Sequence, residues 1–193
     1  MNKLQKHVAQ AIAKEQYEFT KDGGLLVKGG VKVEGTYVEG VNGGDWREHK
    51  NLIPDAGILY LLGAALGGVT PITAWYVAPF AAAVTPAANW TASNFAATAS
   101  EITSPSEGYS QSTRVAWTPG AASAGQIDNL AAKASFTIVT ASSLTINGAG
   151  ILSASAKGST SGTLVSASKF STARVVYDTD TWDCGYYVKL LDS

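Results

Sequence analysis

The sequence predicts an all-β fold: an antiparallel β-sandwich, jelly-roll-like, with one short buried helix at its start and an extended N-terminal arm. Three observations lead there. Short β-branched and aromatic segments recur from residue 72 to the C-terminus, separated by Gly, Ser, Asn and Asp, with no second helical pattern among them. A single uncharged apolar run, NLIPDAGILYLLGAALGG at 51–68, lies between a helix-start and a helix-stop signal. Charge is crowded into the first fifty residues, which hold eight of the 14 Lys and Arg and seven of the 15 Asp and Glu. These contrasts divide the chain into an arm, residues 1–50, and a sandwich domain, residues 51–193.

Within the arm, Leu4, Val8 and Ile12 recur at helical spacing and predict an amphipathic helix over 1–16. The run behind Lys3 and Lys6 is too short and too polar for a secretory signal. Residues 17–46 follow, with glycine pairs at 23–24, 29–30 and 43–44 and short alternating pieces such as VKVE from Val31. No core can be built from this segment alone. It reads as an extended arm that orders on a partner, or as a flexible linker.

The apolar run is too short to cross a bilayer, since a membrane helix needs about twenty residues. Pro54 suits a first helical turn, Asp55 favours the positive end of the helix, and Gly67 and Gly68 terminate it. Ile58, Leu59, Leu61, Leu62 and Leu66 nearly encircle the helix, so either the domain wraps it or a partner covers one side. The strands follow at 72–80, 112–119, 133–141, 143–155, 162–170, 173–178 and 185–192. KASFTIV is the clearest, with Ala134, Phe136 and Ile138 alternating with polar residues as a half-buried strand requires. The Ala/Thr/Ser-rich segment 81–106 reads as a long loop lying against a partner.

Bulk composition narrows the function. Charged residues are 15% of the chain and the net charge is −1, which gives no electrostatic pull toward nucleic acid or an anionic membrane. Cys184 is the only cysteine, so no disulfide staples the fold within the chain. His7 and His49 are the only histidines and read as surface residues. A serine elsewhere could reach a general base only by folding back onto His49. Asp178, Asp180 and Asp183 are hard oxygen ligands at close spacing, but Asp and Thr also favour turns, and the turn is the preferred reading. No catalytic, cofactor or metal site is expected. The aromatics suggest either sugar-stacking platforms or core and interface anchors. Candidate interface residues are Ile58, Leu59, Leu62, Leu66, Trp75, Tyr76, Trp90 and Phe95.

The order of these features resembles a group of small virion proteins from tailed bacteriophages. The likeness rests first on Asn51, Leu52, Ile53, Gly57, Tyr60, Leu61, Leu62, Thr73, Trp75, Tyr76 and Val77. Its second part is Lys133, Ala134, Phe136, Thr137, Ile138, Gly148, Leu152, Lys157, Gly158, Gly162, Thr163 and Leu164. It covers about residues 45–190. The resemblance implies a capsid decoration, or cement, protein on the outer surface of the virion. Such a protein would bind across major capsid protein subunits and associate with itself as a dimer or trimer, with no nucleic-acid or membrane partner. The alternative is a tail or fibre component with a glycan-binding sandwich.

Overall fold

A computed structural model describes residues 17–19, 25–27 and 31–192. The helix expected over 1–16, and His7 upon it, lie outside the described residues. The chain divides into two compact units, residues 1–33 with 190–193, and residues 34–189. In the first, strand β1 (Tyr17–Phe19) pairs antiparallel with β2 (Leu25–Val27).

The second unit holds two antiparallel sheets. One runs in the order β11 (Leu164–Val176), β10 (Leu144–Leu152), β5 (Trp75–Phe80), β7 (Val115–Trp117). The other runs β4 (Gly44–Lys50), β3 (Val31–Val41), β12 (Thr181–Asp192), β9 (Ala134–Val139), β6 (Gly108–Tyr109), with β8 (Gln126–Asp128) also paired to β12. The all-β class is as predicted. The jelly-roll connectivity is not established, because β3–β4 and β10–β11 are hairpins whose successive strands lie side by side in one sheet.

The arm boundary moves. Residues 34–50 are part of the compact unit, and Tyr37 is fully buried in its core. Asn42 and Gly43 both take positive φ, 51° and 73°, and close β3 onto β4 as an Asn-Gly hairpin turn does. The glycine pair at 43–44 therefore belongs to a tight turn inside a sheet.

The core has two parts. Tyr37, Phe136 and Trp182 from the larger sheet meet Val77, Ile146 and Ile151 from the smaller one. A second cluster joins Phe80, Leu152 and Leu164 to Trp90 and Phe95. Successive residues of one strand point to opposite faces, and Val77/Ala78 and Ile151/Leu152 divide between the two clusters. The smaller sheet is thus covered on both faces, which is why WYVAPF lacks polar alternation.

The cover on the second face is a helix that the sequence reading assigned to a loop, α2 (Ala92–Ala99). Thr91 and Asn94 form its capping box: Thr91 N–H donates to Asn94 Oδ1 at 2.9 Å, and the Thr91 side chain accepts from the Asn94 backbone. Ala92, Phe95 and Ala99 are its buried face. Trp90 and Phe95 are 4% and 0% exposed. As interface candidates both are corrected: they anchor α2 within the chain.

The predicted apolar helix is α1 (Asp55–Leu66), with Pro54 as its N-cap and Gly67 as its C-cap. It lies on β11 through Gly57, where an added Cβ would stand 2.6 Å from the Val165 carbonyl oxygen. Leu52 and Ala167 form a bridge just before it. Gly57 is its one buried residue, so the domain itself does not wrap the helix, which was one of the two covers expected.

Candidate functional site

The surface around α1 is where the structure departs furthest from a self-sufficient domain. Ile58, Leu59, Leu62 and Leu66 are 45%, 70%, 53% and 85% exposed. Leu59, Leu62 and Leu66 share one stripe at helical spacing. Asp55 is the one charged residue in the helix. Fully burying a leucine or isoleucine side chain is worth about 1.5–3 kcal/mol, so this ridge forgoes several kcal/mol while it faces water.

On its other side α1 walls a groove of about 400 Å³. Tyr60, Leu61, Ala64 and Ala65 come from the helix, and Trp75, Trp117, Ile127 and Val188 come from strands of both sheets. Ile151, Val165 and Tyr186 also line it, with Ile53 at the entry to the helix. The polar atoms of three lining aromatics are committed inside the fold. Tyr60 Oη accepts the Ile72 N–H at 2.7 Å, Trp117 Nε1 donates to the Tyr186 carbonyl at 3.1 Å, and Tyr186 Oη accepts from Asn51 Nδ2 at 2.9 Å. Tyr60 also meets Trp75 edge-on, with ring centroids 5.3 Å apart. The groove therefore offers apolar contact and little hydrogen bonding.

The remaining candidates are placed as follows. Ile58, Leu59, Leu62 and Leu66 form the exposed ridge, Trp75 lines the groove, and Tyr76 is half-buried on β5. Trp117, Ile127, Tyr186 and Val188 were not foreseen as neighbours of α1. No local signal marks them, since three strands far apart in sequence bring them together.

Polar residues gather elsewhere, at the β3–β4–β11–β12 corner. Glu39 is fully buried and takes two bonds of 2.8 Å from Arg174, through Nε and Nη2, and one of 3.0 Å from Trp182 Nε1. Burial pushes its carboxyl up, but hydrogen bonds from His49, Arg174 and Trp182, with the Arg174 charge, outweigh that and hold it below the ordinary 4.5. Arg174 reaches Asp45 as well, through its side chain and its carbonyl. This cluster ties the two sheets together.

His49 is buried here, not on the surface as its sequence suggested. Its ring stacks on Phe170 at 4.3 Å and its Nε2 lies 3.4 Å from Glu39 Oε1. Its Nδ1 accepts the Ser171 backbone N–H at 3.2 Å, with the Ser171 hydroxyl 3.4 Å away. A serine does fold back onto His49, in the order hydroxyl, imidazole, carboxylate. Two features work against nucleophilic activation. The Nδ1 lone pair that would take the hydroxyl proton already faces the backbone N–H, and the Arg174 guanidinium holds both oxygens of Glu39. The local backbone explains the contact. The register against β10 steps from Ile146↔Arg174 to Gly148↔Lys169, so residues 170–173 bulge out of the ladder. His49 caps the N–H that the bulge frees.

A second buried pair lies nearer α2. Glu101 and Arg114 side chains are both fully buried, with Arg114 Nε and Nη2 donating to the two Glu101 oxygens at 2.8 and 2.7 Å. Arg114 also donates to the carbonyls of Ala154, at 2.9 Å, and Ser159, at 3.3 Å. It thereby holds three loops. Lys157 lies over the Tyr109 ring, 3.6 Å from its centroid.

Asp178 and Asp180 lie at the turn between β11 and β12, whereas Asp183 lies inside β12. Asp180 accepts from Tyr177 N–H and Asn42 Nδ2, both at 2.8 Å, and Asp178 accepts from Thr140 N–H at 3.2 Å. Asp183 lies within β12, opposite Ser135. Among the described residues, no group of three His, Cys, Asp or Glu could hold a metal ion. No helix among them is long and apolar enough to cross a membrane. Compared with known proteins, the chain matches no protein-family model and no curated protein.

Proposed function

We propose that this chain is a non-enzymatic structural protein of a virion, a capsid decoration protein that binds across major capsid protein subunits on the outside of the head. The observation that carries an assembly role is the α1 ridge: three leucines and an isoleucine held in water beside an apolar groove. Exposed apolar surface of this kind marks a face made to be covered. In the two-sheet body behind it, one buried ion pair ties the sheets together and a second ties the connecting loops. The virion assignment itself comes from the resemblance carried by residues 51–77 and 133–164.

A glycan-binding tail component would need exposed aromatic platforms. Trp90, Trp182, Tyr109 and Tyr186 are instead core residues, although Trp46 and Tyr177 are exposed. Many weak contacts repeated over a lattice suffice for cementing, because a protein that binds only the assembled shell stabilises it by mass action. The test is to add purified protein to particles lacking it, then record occupancy by electron microscopy and the temperature at which the particles release DNA. Full occupancy with a raised release temperature is expected. If particles bind nothing and melt as they do in buffer, the decoration reading is wrong.

A further inference from the structure

We propose that Asn42, at the tip of the β3–β4 hairpin, is a site of spontaneous deamidation, and that the change unfastens this hairpin from the β11–β12 turn. The inference stands apart from the virion reading.

Two Asn-Gly pairs lie among the described residues, Asn42-Gly43 and Asn147-Gly148. Asparagine before glycine is prone to self-attack, because the next amide nitrogen can reach the side-chain carbonyl and glycine has no side chain to block the approach. The fold treats the two pairs differently. Asn42 and Gly43 are both exposed, no described residue accepts the Gly43 N–H, and a Cβ built on Gly43 would meet no atom within 4 Å. The Gly43 peptide is thus free to swing toward Asn42 Cγ. Gly148 is buried and paired on both sides, opposite Phe80 and Lys169, and an added Cβ there would stand 2.2 Å from Phe80 Cζ. Its nitrogen cannot turn without opening the smaller sheet at its centre.

The surroundings of Asn42 favour the reaction. Thr181 N–H donates to Asn42 Oδ1 at 2.9 Å, so a donor already faces the oxygen that gains negative charge as Cγ becomes tetrahedral. The Gly43 nitrogen bonds to Cγ, the Cγ–Nδ2 bond breaks, and Nδ2 leaves as ammonia with the Gly43 amide proton. A succinimide ring remains. Water then opens it at either carbonyl and leaves an aspartate or an isoaspartate.

The product alters a joint between two turns. Asn42 N–H donates to the Thr181 carbonyl at 2.8 Å, and Asn42 Nδ2 donates to Asp180 Oδ1 at 2.8 Å. The Asn42 amide, with Tyr177 N–H, holds the Asp180 carboxyl below its ordinary 3.8. Either product replaces that donor with a carboxylate, so two like charges face each other. Isoaspartate also lengthens the main chain within a two-residue turn that needs positive φ at both residues.

The test holds the full chain in mildly alkaline buffer, folded and in urea, and follows each site by peptide mass spectrometry. In the folded chain Asn42 is expected to convert at least ~10-fold faster than Asn147, whereas in urea the two should convert alike. Equal folded rates, a faster Asn147, or an Asn42 that converts only in urea would overturn the site. Asn42→Asp reproduces one product and keeps the turn, since Asp tolerates positive φ. Its unfolding constant at neutral pH should exceed the parent's by about tenfold, and adding Asp180→Asn should recover most of that loss. An Asn42→Asp variant as stable as the parent, or a loss that Asp180→Asn does not reduce, would overturn the unfastening.

Discussion

Replacing Arg114 with Met should destabilise the protein severely, and the structure says by how much. The guanidinium makes two charge-assisted bonds to Glu101 and two further bonds to the carbonyls of Ala154 and Ser159. Both side chains of the pair are fully removed from water. Deleting the cation leaves a carboxylate in a site that neither water nor a counter-charge reaches, and such losses run about 3–5 kcal/mol. For a unit of this size that corresponds to a fall in melting temperature of roughly 10 °C or more. Glu101→Leu should cost a similar amount, for the mirror-image reason. The double variant removes both charges, so only the two carbonyls that Arg114→Met also orphans remain unsatisfied. It should therefore be more stable than Arg114→Met alone by roughly 2 kcal/mol. Urea unfolding followed by tryptophan fluorescence measures all four proteins, and Glu101→Gln is a milder variant if the singles fold poorly. A loss below about 1 kcal/mol for Arg114→Met, or a double variant equal to the sum of the singles, would refute the reasoning.

Other consequences are open to equally direct tests. Glu39 titrates below the ordinary 4.5 in the folded state, so the stability it contributes is present above pH 4.5 and is lost as pH falls through the lower folded value. Unfolding free energy measured from pH 7 to 3 should drop below about 4.5, and Glu39→Gln should start lower and lose this part of the slope. His49→Ala should cost about 1–3 kcal/mol by stranding the bulge N–H, whereas exposed Ser171→Ala should change stability by under ~0.5 kcal/mol. A fluorophosphonate probe should leave Ser171 unlabelled; labelling there would revive a hydrolase. A chain beginning at Glu34 should keep the parent's cooperative melt, and one beginning at Asn51 should lose it along with Tyr37, Glu39 and His49. Equal melts for the two truncations would mean that β3 and β4 are dispensable.

Several elements were legible in the residues because their signals are local. Alternation in Ala134–Val139 does place Ala134, Phe136 and Ile138 in the core and Ser135 and Thr137 in water. Pro54 and Gly67 bound α1 because backbone chemistry at a helix end depends on the few residues there. The capping pair Thr91 and Asn94 was also present to be read, although the Ala/Thr composition around it suggested a loop. Strand β4, by contrast, is GDWREHK, and apart from Trp46 nothing in that string favours a strand. It becomes one because β3 pairs with it, and Arg174, 129 residues away from Asp45, holds its start.

By itself, the sequence determined which segments are apolar, where helix α1 starts and stops, and that the body is β. Only the tertiary structure decided which apolar surfaces are left over. Trp90 and Phe95 were indistinguishable by residue type from interface anchors, yet they fill the core because α2 folds over one face of the smaller sheet. Leu59, Leu62 and Leu66 could by residue type have packed inside the domain or faced a partner, and they stay in water because Gly57 is the one residue of that helix buried against the sheet. Hydrophobicity is a property of a residue and is written in its name. Burial depends on what the rest of the chain can bring against that residue, and that is set by contacts distant in sequence.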